Sequence, residues 1–268
     1  MLLFTQRGRV FWLKAYQVPE TQRYGRGQAI INLLNLKDDN ISSVIPIKEF
    51  KGFLFMATKL GVVKKMKLEM FSNPRASGVR AINLPLDNSD NLIDVSVISQ
   101  AQEVMMTTSD GQAIKFNSDE VRDMGRASYG VCGIKLEKGD EVVSLVVVSK
   151  DEKVKKEETV LSVTKDGYGK RSLIEDYRLT GRACKGVINL KVTGKNGKVI
   201  KTISVDNGDQ IIVTTEKGIM IKTPVKDIRV MGRATQGVRV IRLNDSDKVS
   251  DVAKLSKDDE EVVEEAVK

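Results

Sequence analysis

Apolar and polar side chains alternate in short runs along this chain, and each run reverses at a glycine. Residues 103–108 read as one strand, residues 112–116 return with the period-two alternation of a half-buried strand, and Ser109-Asp110-Gly111 supplies a tight hairpin turn between them. A polar stretch, residues 117–123, then leads to Gly125-Arg126-Ala127-Ser128-Tyr129-Gly130. A third strand is predicted over residues 131–136 and, after a turn at Lys138-Gly139-Asp140, a fourth over 141–148. Four short antiparallel strands in one unit predict a propeller blade.

The same order of signals comes round five times. The hairpin recurs as Thr-x-x-Gly at Thr5 and Gly8, Thr58 and Gly61, Thr108 and Gly111, Thr164 and Gly167, and Thr215 and Gly218. Its glycines lie 53, 50, 56 and 51 residues apart. A second anchor follows each hairpin: an arginine, a glycine, then aliphatics four and six positions on. It reads Arg23/Gly27/Ile31/Leu33, Arg75/Gly78/Ile82/Leu84, Arg126/Gly130/Ile134/Leu136, Arg182/Gly186/Leu190/Val192 and Arg233/Gly237/Ile241/Leu243. The aliphatics are expected to be core positions of the third strand. A fixed period of about 50 residues implies units that cannot bury their apolar faces alone. One all-β, propeller-like domain over residues 1–255 is therefore expected, with repeats at about 2–49, 50–99, 100–149, 158–206 and 207–255. Residues 150–158 read as a solvated loop that lengthens the fourth interval, and residues 256–268 as a flexible acidic tail.

Composition narrows the function. Hydrophobic residues make up 41% of the 268, ample for a core, and the formal net charge is +8. Residues 257–268 hold six carboxylates and two lysines, so the rest of the chain carries +12. That excess favours a polyanionic partner, and the tail becomes an internal competitor whose deletion is expected to tighten binding. Histidine is absent, which removes the commonest general base and the commonest metal ligand. No Walker-type loop occurs and no acidic cluster recurs with metal-ligand spacing, so neither catalysis nor a metal or other cofactor is expected. Cys132 and Cys184 do not occupy equivalent repeat positions and read as unpaired thiols of a reducing cytosol. No apolar run approaches the roughly 18 residues of a membrane span, and a soluble cytoplasmic protein is expected.

The candidate chemistry lies in the cations. Arg23, Arg75, Arg126, Arg182 and Arg233 recur on turns that should be exposed, with Arg26, Arg80, Arg122, Lys185, Arg229 and Arg239 beside them. The second hairpin strand also ends in a cation every time: Lys14, Lys64-Lys65, Lys115, Lys170-Arg171 and Lys222. Surface salt bridges, or bonds to the turns themselves, would explain single arginines. In a propeller, however, equivalent positions fall at equal angles, so one basic turn per blade becomes a basic rim. Guanidinium groups there would grip duplex phosphates without reading sequence. A disc radius of roughly 20–25 Å follows from four strands at ~4.8 Å spacing. Wrapping DNA once around it costs on the order of 25–30 kcal/mol, which only a continuous band of contacts with counterion release offsets. Aromatics at 5% argue against single strands, which need stacking platforms.

The residues just described resemble the C-terminal domain of the DNA gyrase A subunit, and the likeness covers the chain up to about Leu255. Its most specific stretch runs from Gly8-Arg9-Val10-Phe11-Trp12-Leu13-Lys14 through Tyr16-Gln17-Val18-Pro19-Glu20 to Arg26-Gly27-Gln28-Ala29-Ile30-Ile31-Asn32-Leu33. Gly167-Tyr168-Gly169-Lys170-Arg171 and Gly232-Arg233-Ala234-Thr235-Gln236-Gly237 add to it. The resemblance implies a β-pinwheel whose blades exchange strands and whose basic rim wraps duplex DNA for negative supercoiling. The partners it implies are the rest of gyrase A and the gyrase B subunit. The catalytic tyrosine belongs to a preceding domain of that family and is assigned to no tyrosine here. The family's Gln-Arg-Arg-Gly-Gly-Lys-Gly box is missing. The nearest string, Gln22-Arg23-Tyr24-Gly25-Arg26-Gly27, belongs to a later blade, so the chain is expected to begin inside or after the first of six blades. A topoisomerase IV-type domain that bends DNA without a full wrap, and a propeller scaffold for proteins, are the competing readings.

Overall fold

The computed structural model describes residues 1–20, 27–36, 39–151, 157–244 and 246–255. The first repeat supplies β1 (Leu2–Thr5), β2 (Arg9–Trp12) and β3 (Ile41–Ile45). The second supplies β4 (Phe53–Thr58), β5 (Val62–Lys67), β6 (Val79–Arg80) and β7 (Leu92–Ile98). The third supplies β8 (Glu103–Thr108), β9 (Gln112–Asn117), β10 (Val131–Cys132) and β11 (Val142–Val147). The fourth supplies β12 (Thr159–Thr164), β13 (Tyr168–Leu173), β14 (Val187–Ile188) and β15 (Val199–Val205). The fifth supplies β16 (Gln210–Thr215), β17 (Met220–Pro224), β18 (Val238–Arg239) and β19 (Val249–Leu255).

These strands form two compact units, Met1–Ala101 with Ser118–Gly133, and Gln102–Asn117 with the chain from Ile134 onward. The first unit holds the sheets β3-β1-β2-β6 and β10-β5-β4-β7. The second holds β11-β8-β9-β14, β15-β12-β13-β18 and the three-stranded β17-β16-β19. In every four-stranded sheet the strand beside the second hairpin strand comes from the following repeat. The pairs are Arg9 with Arg80, Val62 with Cys132, Gln112 with Ile188 and Tyr168 with Arg239. This corrects the reading of residues 131–136 as a third strand of their own blade. The strand is two residues long and completes the preceding one.

Close backbone approach is what the exchange demands of the sequence. A Cβ on Gly111 would lie 2.0 Å from the Leu190 carbonyl oxygen, and one on Gly130 would lie 2.5 Å from that of Val63. Gly111 also closes its hairpin at φ 82, a left-handed conformation that side chains oppose. The threonine of each hairpin has an equally definite task. Thr58 and Thr108 are buried, and their Oγ1 atoms each accept the N–H four residues on at 3.1 Å, while their carbonyls accept from Gly61 and Gly111 at 3.0 Å. The other three threonines make the same pair of bonds.

Each unit has its own core. In the first, Leu2, Phe4, Leu54, Met56, Met66 and Phe71 pack together, with Phe4 and Phe71 edge to face at 6.3 Å. In the second, Leu161, Val163, Ile211 and Val213 form one cluster, and Met105, Val160, Ile174 and Tyr177 another. Ile82, Ile134, Leu190 and Ile241 are buried as expected of the aliphatics after the arginine turns. Ile31 is not, at 54% exposed. Residues Ile30–Asn32 form a 3-10 turn, and among the described residues no hairpin accepts them as a strand. At the end of the charged insert, Glu158 is buried and not solvated. It accepts from the Ser149 N–H at 3.0 Å and Ser204 Oγ at 2.6 Å. Residues 152–156 of that insert and the acidic tail 256–268 lie outside the described residues.

Candidate nucleic-acid interface

The cations that end the second hairpin strands were expected at the surface, but the structure buries most of them. Lys65, Lys115 and Arg171 stand four residues after their hairpin glycines, where Trp12 stands in the first repeat. Each reaches the 3-10 turn of the next repeat. Lys65 Nζ donates to Ser118 O at 3.3 Å, Lys115 Nζ to Ile174 O at 3.2 Å, Arg171 Nη1 to Val225 O at 3.1 Å, and Trp12 Nε1 to Phe71 O at 2.8 Å. Carboxylates flank two of them: Asp123 lies 3.5 Å from Lys65 Nζ, and Glu103 3.5 Å from Lys115 Nζ. Arg171 is also bonded to Thr159 Oγ1 and Asn207 Oδ1, and its desolvation lowers its pKa. The position is a donor that ties one repeat to the next.

Lys64 and Lys170, one residue earlier, are buried as well. Lys64 Nζ donates to the carbonyls of Ala81 (2.7 Å), Arg126 (3.0 Å) and Ser128 (3.0 Å). Lys170 Nζ donates to Ser172 Oγ and to Gly232 O at 3.3 Å. Burial pulls both ammonium groups down to a pKa of about 8, because a charge removed from water is disfavoured. These five side chains are excluded from the proposed surface by their position inside the sheets.

Of the described arginines on the recurring turns, Arg75 is exposed and Arg126, Arg182 and Arg233 are half-buried. In the first unit Arg9, Arg75, Arg80 and Arg126 line one shallow cleft of about 350 Å³ with Gly78, Val79 and Ala127, and no carboxylate lines it. Strand exchange assembles it from three repeats. Arg9 opens β2, Arg80 pairs with it across the ladder from β6, and Arg75 and Arg126 come from the second and third arginine turns. Local bonds orient the groups: Arg9 Nη2 donates to Ser77 O, and Arg80 Nη1 to Asn83 Oδ1 at 2.7 Å. Among the described residues neither Arg75 nor Arg126 makes an ion pair. Arg9 was missing from the sequence-derived site, since its neighbours are 66 or more residues away along the chain.

The second unit offers a thinner set. Arg239 pairs with Tyr168 across β13 and β18, its guanidinium 5.6 Å from the ring centroid. Arg233 is half-buried and donates from Nη1 to Ile188 O at 2.9 Å, and Arg182 is half-buried too. Lys185 is exposed but paired with Glu137 at 2.6 Å, which raises the pKa of the lysine and lowers that of the glutamate. Lys222 and Arg229 are exposed, as are Arg122 and Lys14 of the first unit. Arg23 and Arg26 lie outside the described residues.

A family profile described as the DNA gyrase C-terminal domain, beta-propeller, matches residues 1–48, 52–99, 102–149, 158–206 and 209–256. The chain belongs to the DNA gyrase C-terminal domain family. It is 42% identical to the DNA gyrase A protein of Salmonella typhimurium over 98% of this chain, and 44% identical to that of Buchnera aphidicola over 93%. The chain spans about 30% of the length of these relatives. Among solved structures, the C-terminal domain of DNA topoisomerase IV superposes with a TM-score of 0.85 at 28% identity, covering 99% of this chain and 82% of that one. A DNA gyrase A C-terminal domain superposes with a TM-score of 0.82 at 24% identity, covering 95% and 81%. The fold is therefore the all-β pinwheel class of the gyrase domain, with the strand exchange described above. No helix among the described residues is long and apolar enough to cross a membrane.

Proposed function

We propose that residues 1–255 bind duplex DNA without reading its sequence, bend it and wrap it, as the C-terminal DNA-wrapping part of a gyrase A protein that directs negative supercoiling. One observation carries this reading: four arginines from three repeats share a single cleft that no carboxylate lines. Guanidinium groups so placed meet consecutive phosphates, and the counterions they release make the affinity strongly salt-dependent. Further cations, exposed Lys14, Arg122, Lys185, Lys222, Arg229 and Arg239 and half-buried Arg182 and Arg233, extend the contact. Undescribed Arg23 and Arg26 belong to the same recurring turn. On this reading the partners are double-stranded DNA, the rest of gyrase A and the gyrase B subunit, in the cytoplasm at the nucleoid. The domain itself is an accessory with no catalytic group.

The test is binding of a 40-base-pair duplex by fluorescence anisotropy between 50 and 300 mM salt. A slope of log affinity against log salt steeper than about −4 is expected, and a flat profile removes the reading in favour of a protein scaffold. The likeness to the topoisomerase IV domain supports a second outcome, bending without a full wrap. Ligating nicked circular DNA in the presence of the chain separates the two. A shifted linking number marks a wrap, and an unshifted one marks a bend.

A further inference from the structure

We propose that Lys64 is a positioning residue, which sets the third arginine turn so that the Arg126 guanidinium stands in the four-arginine cleft. The inference rests on the DNA-binding reading. Lys64 is fully buried and, among the described residues, faces no carboxylate at ion-pair distance, so its charge is not there to neutralise another. Its three N–H groups instead meet three carbonyls, and two of these, Arg126 O and Ser128 O, belong to the turn itself. The third, Ala81 O, follows directly on Arg80, another cleft residue. An ammonium is the one side-chain group with three donors on a single atom, which suits convergence of three acceptors at a point.

The fold does not ask for lysine here. Three residues after the hairpin glycine the repeats carry Phe11, Lys64, Ile114, Lys170 and Ile221, so an apolar side chain fills the same place elsewhere. Burying a cation costs free energy that an apolar group would not. What the lysine adds is a fixed backbone under the following arginine. Lys170 repeats the device for the fifth turn through Gly232 O, next to Arg233. Loop turns hold their shape poorly without such bonds, and the arginines of the cleft gain little from an arrangement they must first be ordered into.

The experiment is a double-mutant cycle in the 268-residue chain, Lys64→Met with Arg126→Ala, reading affinity for the 40-base-pair duplex at 100 mM salt and the thermal midpoint. Lys64→Met alone is expected to weaken binding about fivefold and to flatten the salt slope by about one. In the Arg126→Ala background it should leave affinity within twofold, while lowering the thermal midpoint by the same amount in both backgrounds. Equal losses of affinity in the two backgrounds, or no loss in a folded Lys64→Met chain, overturn the proposal. Should Lys64→Met not fold, Lys64→Gln, which keeps two N–H donors, is read through the same cycle with a smaller loss expected. If the unsubstituted chain shows no salt-dependent binding, the DNA reading itself has failed. If it binds and Arg126→Ala weakens it while Lys64→Met does not, only the positioning role has.

Discussion

Two groups of cations, drawn from the same five repeats, have opposite fates. Lys65, Lys115 and Arg171 stand fourth in the six residues of the second hairpin strand, are buried and donate to the 3-10 turn of the next repeat. Arg9, Arg75, Arg80 and Arg126 gather in an open cleft that no carboxylate lines. By residue type and charge the groups are alike. What separates them is what lies alongside in space. Lys65, Lys115 and Arg171 stand beyond the two-residue donated strand, where the polar segment of the following repeat bridges them at Asp123, Leu179 and Val230. There a long basic side chain meets carbonyls of irregular backbone and satisfies them. Arg9 and Arg80 pair with each other on the donated strand and line the open cleft. A basic residue in a strand-exchanged sheet can thus be a buried connector and not a surface group.

The comparison breaks most sharply when the two groups are substituted separately. Alanine at Arg9, Arg75, Arg80 and Arg126 together should weaken duplex binding about 1,000-fold, or about 4 kcal/mol, at roughly 1 kcal/mol per phosphate contact, with the thermal midpoint nearly unchanged. Anisotropy and calorimetry on the same sample check both halves. Arg171→Met should do the reverse. It leaves Val225 O, Thr159 Oγ1 and Asn207 Oδ1 without this donor, and at about 1 kcal/mol or more each it should destabilise the chain by about 3 kcal/mol in urea titration. Its affinity for DNA, measured well below the midpoint, should change less than twofold.

A pH titration sharpens the contrast further. Lys64 and Lys170 have folded pKa values of about 8, below the ordinary 10.5 of the unfolded chain. Between those values the unfolded state binds more protons, so these groups stabilise the fold as pH rises, and that contribution is lost as pH falls through 8. From pH 7.5 to 9.5 each should add about 1–2 kcal/mol, a rise that Lys64→Met and Lys170→Met variants lack. The smallest effect is expected at the exposed pair. Glu137→Gln should leave the thermal midpoint essentially unchanged and strengthen DNA binding no more than about twofold, by releasing Lys185.

Much of this was legible in the linear pattern. The hairpins at Gly61, Gly111 and Gly167, the burial of Ile82, Ile134 and Leu190, and the outward turn at Arg75 all follow from local signals. Such signals are decided within a few residues by backbone freedom, alternation and turn chemistry. The buried lysines were misjudged for a definite reason. Lys64 and Lys115 sit where alternation breaks into consecutive buried residues, and a strand with both faces covered looks like one ending in solvent until its neighbour is known. Arg9 was passed over because its partner Arg80 is supplied by another repeat.

The amino-acid sequence alone determined that this protein is a series of five glycine-closed β units with surplus positive charge, because strand period and turn geometry act over short distances. Only the tertiary structure decided which of those cations are buried and which stand at the surface. Strand exchange places each donated strand against the hairpin of the repeat before it, and burial depends on what lies alongside a residue in space.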